Sequence, residues 1–192
     1  MAISLSKGGN ISLSKEDPSL DEIMVGLGWD ARSTDGAPFD LDASAFLLNA
    51  AGKVRSDNDF CFYGQKSVAE GTAVHQGDNL TGDGDGDDEQ IKVTLSKVPG
   101  DVDKIAIVVT IHKFLERNQS FGQVSNAFVR LVNNKTDTEI TRFDLTEDMS
   151  TETAMILGEV YRNGTDWKFR AVGQGYSGGL KTLALQYGVH VE

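Results

Sequence analysis

Apolar runs of strand length recur along the chain, each closed by a short turn-forming segment. Ile23-Met24-Val25-Gly26-Leu27-Gly28-Trp29 is one, and Leu41–Leu48 is another. The series continues through 60–63, 90–95, Lys104–Ile111, 124–132, 139–145, 154–162 and 167–172. Ile105-Ala106-Ile107-Val108-Val109-Thr110-Ile111 is apolar at almost every position and rich in β-branched residues. That pattern predicts a central strand buried on both faces. Asn163-Gly164 between Val160-Tyr161-Arg162 and Trp167-Lys168-Phe169 predicts a hairpin. Ser4-Leu5-Ser6-Lys7 and Ser12-Leu13-Ser14-Lys15 flank Gly8-Gly9-Asn10, which predicts a second hairpin at the start.

Two segments carry a helical pattern instead. One is 112–118, worth a turn or two. The other is 177–187, where Leu180, Leu183, Ala184 and Tyr187 share a face; Ser177 is placed to cap it and Gly188 to end it. Many short strands with frequent turns define an all-β chain: a β-sandwich of two mostly antiparallel sheets with a short C-terminal helix. No linker interrupts it, so residues 1–192 are expected to form one domain.

Composition narrows the function classes. A formal net charge of −11 argues against binding nucleic acid through phosphate contacts, and against docking on an anionic membrane by charge. No run approaches the ~20 apolar residues of a membrane span, so no direct membrane insertion is expected. The N-terminus, Met-Ala-Ile-Ser-Leu-Ser-Lys, lacks the apolar core of a signal peptide. The single cysteine, Cys61, excludes an internal disulfide and any Cys-x-x-Cys motif, which fits a reducing cytoplasm.

The charge is concentrated. Six of the twelve residues from Asp78 to Glu89 are carboxylates and none is basic. Alternating glycine lets that backbone curl until its carboxylates converge. Two carboxylates about 4 Å apart repel by roughly 4 kcal/mol at an intermediate dielectric, so a folded chain that gathers several needs a cation. Oxygen ligands select a hard one, Ca²⁺ or Mg²⁺. Asp83-x-Asp85-x-Asp87 imitates the start of an EF-hand loop, but Asp88 stands where that loop turns on glycine and Thr94 where it needs a bidentate glutamate. Other oxygens stand at strand ends: Asp30 after Trp29, Asp40 and Asp42 on one face of a strand start, Asp57-Asn58-Asp59, and Glu116 after the buried strand.

No catalytic set emerges. Gly175-Tyr176-Ser177-Gly178-Gly179 has the spacing of a nucleophile elbow, yet no Asp follows Ser177 and the only later acid, Glu192, comes after His190. His75, His112 and His190 lack zinc-ligand spacing, and the glycine-rich segments lack the ending of a phosphate-binding loop.

Gly26-Leu27-Gly28-Trp29-Asp30, Phe39-Asp40-Leu41-Asp42-Ala43-Ser44 and the Asp78-to-Glu89 run, in that order, resemble the TerD family of bacterial tellurite-resistance and stress-response proteins. Asn118-Gln119-Ser120-Phe121-Gly122 and Tyr176-Ser177-Gly178-Gly179-Leu180 fit as well. The resemblance covers essentially the whole chain. It implies a cytoplasmic β-sandwich that binds two Ca²⁺ ions at one end. It also implies protein partners from the tellurite-resistance system, and a binding or scaffolding role rather than catalysis. The ligands it implies are Asp30, Asp40, Asp42, Asp57, Asp83, Asp85, Asp87, Asp88 and Glu89, with Glu116 and the Asn58 amide oxygen as further donors. Direct reduction of tellurite is the rival reading. It requires thiol pairs, a flavin or a redox metal, and one cysteine with no nucleotide motif does not supply them.

Overall fold

Two facing sheets and one helix account for the layers of the computed structural model, which describes residues 2–31, 35–83, 86–145 and 151–190. The strands are β1 (Ile3–Ser4), β2 (Asn10–Ser12), β3 (Glu22–Gly28), β4 (Leu41–Leu48), β5 (Phe60–Cys61), β6 (Ser67–Val68) and β7 (Ala73–His75). They continue as β8 (Glu89–Thr94), β9 (Lys104–Ile111), β10 (Phe128–Asn133), β11 (Thr138–Asp144), β12 (Ala154–Asn163) and β13 (Asp166–Tyr176). One sheet runs β1-β11-β10-β3-β8-β7-β6; the other runs β2-β13-β12-β9-β4-β5. Every pairing is antiparallel except β1 with β11. The helices are α1 (Leu13–Glu16), α2 (Phe114–Arg117) and α3 (Gly179–Tyr187).

Period-two alternation explains why β9 is apolar throughout. Ile105, Ile107, Val109 and Ile111 enter the core between the sheets. Ala106 and Val108 face the other way, into a second core with Phe46, Ile156, Leu183 and Tyr187. That second core exists because α3 covers the outer face of the six-stranded sheet. Each fully buried Leu, Ile or Phe here contributes about 1.5–3 kcal/mol, so the covered strand is firmly held on both faces.

The structure corrects two local expectations. The N-terminal echo does not close into a hairpin. β1 joins the edge of the seven-stranded sheet beside β11, whereas β2 joins the six-stranded sheet beside β13. Gly8, at φ +81°, turns the chain from one sheet to the other, and Leu13 to Glu16 coil into α1. Ser177 does not cap α3 either. The N-cap is Gly178, and the Thr153 hydroxyl accepts the amides of Gly178 and Gly179 at 3.2 and 3.0 Å. The other end is as expected, with Gly188 closing α3 at φ +87°. β12 and β13 form the hairpin that Asn163-Gly164 predicts.

Antiparallel register then assembles one end of the sandwich. Leu27 pairs with Glu89, Gly28 with Phe128 and Leu41 with Ile111. The end of β3, the starts of β4, β8 and β10, and the end of β9 therefore lie side by side.

Candidate metal centre

Asp40 and Asp42 stand at the start of β4, and the turn after β7 brings Asp78 against them. The three offer carboxylate oxygens that all lie within 4.8 Å of one another. Among the described residues, no other group of three or more acidic, His or Cys side chains is as tight. Asp40 and Asp42 are buried; Asp78 stands exposed at the mouth. Glu89, 1% exposed, lies behind them and spans the two sheets, its Oε2 accepting the Ala43 amide of β4. That amide lies outside the short register of β5 with β4, which covers only Ala45 and Phe46.

Among the described residues, two acceptors in this group find no hydrogen-bond donor: Asp40 Oδ1 and Glu89 Oε1, both buried. The electrostatics follow. Burial, then the neighbouring Glu89, Asp40 and Asp78 carboxylates, push the Asp42 carboxyl up to about 8. Burial raises Glu89 to about 6, against the pull of His75 and the Ala43 amide. Asp40 is raised too, chiefly by burial, with His112 and Arg117 opposing. Such a set is costly without a counter-charge.

Among the described residues, one guanidinium and two imidazoles stand near it. Arg117 Nη1 is 3.5 Å from Asp40 Oδ2, and His112 Nδ1 is 3.4 Å from Asp42 Oδ2. His75 Nε2 stands 3.6 Å from Glu89 Oε2, while its Nδ1 accepts the Gly77 amide, so Nε2 carries the proton. Converging carboxylates with orphaned buried oxygens match the ligand chemistry of a hard divalent cation.

The other candidate ligands lie elsewhere or are already engaged. Asp87 is buried in an ion pair with Arg130, 2.7 Å from Nε, and also accepts from Gln90. Register explains the pair. Arg130 and Gln90 flank Gly26 on either side, and a methyl group on Gly26 would overlap the Asp87 carboxylate. Gly26 is thus glycine because Asp87 occupies its side-chain space. Asp88 accepts the Trp29 amide and the Asn79 side chain, each at 2.9 Å, and so clamps the acidic loop to the end of β3. Burial raises its carboxyl, with Asp87, Asp83 and Asp30 adding to the shift. Asp83 accepts from the Thr81 hydroxyl, and exposed Asp30 from Asn126. Asp85 lies outside the described residues.

Asp57 and Asn58 are not brought to this end. They form a 3₁₀ turn before β5, and Phe60 pairs with Phe46, so the turn lies toward the far end of β4. There Asp57 accepts from the His190 amide, and its neighbour Asp59 pairs with Arg55. Glu116 is exposed on α2, with Lys113 4.0 Å away.

Sequence reasoning gave no role to Asp78, His75, His112 or Arg117. Asp78 opens the acidic run, but nothing in its spacing separates it from the paired Asp87. His75 belongs to a three-residue strand too short to show a period.

Fold and site together define the class: an all-β sandwich with an oxygen-rich candidate cation centre at one end. The chain belongs to the TerD family; the family's TerD domain matches residues 1–187. It is 64% identical over 99% of both chains to the tellurium resistance protein TerD of Alcaligenes sp. It is 56% identical, over the full length of both, to general stress protein 16U of Bacillus subtilis (strain 168). Among solved structures, a homologue of telluride resistance protein (TerD) from Streptomyces coelicolor A3(2) superposes with a TM-score of 0.70. That match covers 86% of this chain and 96% of the other at 23% identity, and it bears on the fold alone.

Proposed function

We propose that this protein is a Ca²⁺-binding module of bacterial tellurium resistance and general stress response, working in the cytoplasm through protein partners rather than by catalysis. One observation carries the reading: Asp40, Asp42 and Asp78 converge within 4.8 Å in front of buried Glu89, with two orphaned carboxylate oxygens. Asp40, Asp42 and Asp78 would hold the first ion, with Glu89 behind them. Asp30, Asp83 and Asp88, which share the loops around Trp29, would hold a second. The ion supplies a counter-charge to the converging carboxylates, and binding to the folded state alone stabilises it by mass action. The names of the relatives support the physiological setting, tellurium resistance in one and general stress in another. No helix among the described residues is long and apolar enough to cross a membrane.

Titration calorimetry of metal-free protein with Ca²⁺ and with Mg²⁺ tests the proposal. Saturable Ca²⁺ binding with a stoichiometry of two ions, reduced in Asp42→Asn, is the expected result. Absence of Ca²⁺ binding by the wild type would overturn it. Turnover of tellurite by the purified protein with a supplied reductant would overturn the non-catalytic part.

A further inference from the structure

The acidic end does not exhaust the unusual carboxylates. Glu159 on β12, its side chain only 10% exposed, lies on the outer face of the six-stranded sheet. It holds two cations at once. Lys104 Nζ is 3.3 Å from Oε1, and Arg170 Nη2 is 2.5 Å from Oε2. One carboxylate against two cations leaves a local charge of +1 on a chain whose net charge is −11. Each cation also keeps donors to spare, since an ammonium has three N–H groups and a guanidinium five. Both stay partly open to solvent, Lys104 at 32% and Arg170 at 48% of the side chain.

These groups line a groove of about 560 Å³ beside the C-terminal end of α3. A cavity of that size takes a small ligand. Ile156, Val172, Tyr176 and Tyr187 supply apolar and aromatic surface, and Lys7 adds a further cation. Burial raises the Tyr187 hydroxyl well above its usual range, with Glu159 and Tyr176 adding to the effect, so it stays neutral. The groove also lies away from the acidic centre. Lys104 pairs with Leu48 at one end of β4, whereas Asp42 pairs with Thr110 near the other.

We propose that this groove binds a small organic anion, its carboxylate or phosphate on Lys104 and Arg170 and its apolar body along Ile156, Val172, Tyr176 and Tyr187. Glu159 acts as a positioning residue: it fixes both cations before the ligand arrives, which lowers the ordering cost of binding. The apolar walls select an anion with a body over a bare inorganic ion.

The test is an NMR titration of isotope-labelled full-length protein, freed of divalent cations on a chelating resin, with benzoate and with phenyl phosphate. Inorganic phosphate and benzyl alcohol serve as the anion-only and body-only probes. Saturable shifts at Lys104, Arg170, Tyr176 and Tyr187 with either aryl anion support the proposal, and the tighter of the two identifies the anionic group. Lys104→Gln, which leaves Glu159 paired with Arg170, should weaken binding about tenfold, as loss of one charge-assisted hydrogen bond does. Val172→Trp fills the groove without touching the ion pairs and should abolish binding. Shifts that do not saturate, equal binding of inorganic phosphate or benzyl alcohol, or full binding by Val172→Trp would each overturn it. Because the titration contains no divalent cation, its outcome is independent of the Ca²⁺ proposal.

Discussion

Asp42 and Asp87 are both carboxylates withdrawn from solvent at the same end of one sandwich, and they are held in opposite ways. Asp87 has Arg130 at 2.7 Å, Gln90 beside it and a glycine cleared beneath it. Asp42 has three other carboxylates around it, one imidazole at 3.4 Å, and a guanidinium, Arg117, that pairs with Asp40 instead. The first is a finished ion pair that ties the acidic loop before β8 to β10. The second belongs to a site whose charge is unbalanced by its own side chains. Both lie in segments where aspartates recur at alternate positions, so counting acids cannot separate a structural carboxylate from a ligand; the partner each finds does.

The comparison can be broken most forcefully at Gly26. Gly26→Ala should drive Asp87 from its seat and cost about 3 kcal/mol, the scale for breaking a buried pair. For a chain of this length that lowers Tm by roughly 6–12 °C. An unchanged melting curve would show that Asp87 is no anchor. On the other side, Ca²⁺ at a hundred times its Kd should stabilise the wild type by about 2.7 kcal/mol, a rise of roughly 5–10 °C. Asp42→Asn should melt higher than wild type in EDTA above about pH 8, where Asp42 is ionised and the change removes a buried charge among like charges, and should lose most of the Ca²⁺-dependent rise. If Asp42→Asn melts lower in EDTA at that pH and still gains the full rise, the contrast with Asp87 fails.

Acidity gives a subtler probe. Asp42 and Glu89 have folded-state values near 8 and 6, above the ordinary carboxylate range. The folded state therefore binds more protons than the unfolded one between about pH 4 and pH 8, and stability falls as pH rises through that window. Metal-free protein should lose Tm from pH 5 to pH 8, and excess Ca²⁺ should flatten or reverse the slope. Identical slopes with and without the ion would detach these carboxylates from metal. The smallest effect is expected at the outlying acids. Asp57→Asn and Glu116→Gln should each change stability by less than about 0.5 kcal/mol and leave Ca²⁺ affinity unaltered by calorimetry.

Much of the scaffold was legible because alternation and turn chemistry are local. The continuous apolar run is β9 with the bounds its pattern implies, and Asn163-Gly164 and Gly188 do what their conformational freedom suggests. The site was legible only in part. Asp40 and Asp42 were readable from their spacing on one strand face. Asp57 was misleading, since a strand entrance near in sequence can open at either end of a sheet, and β4 carries the chain away before the turn to β5. The roles of Thr153 at α3 and Arg130 at Asp87 depend on partners more than twenty residues away, and no local period records such contacts.

The passage of the first twelve residues between the sheets has one more consequence. β1 covers the outer margin of β11 and β2 that of β13, so two short segments of one stretch seal an open margin of each sheet. If this stretch is lost, both margins present unpaired amides and carbonyls to neighbouring molecules, which is the template for self-association. The N-terminal arm is in that sense a guard against aggregation, contributed by residues that hardly enter the core.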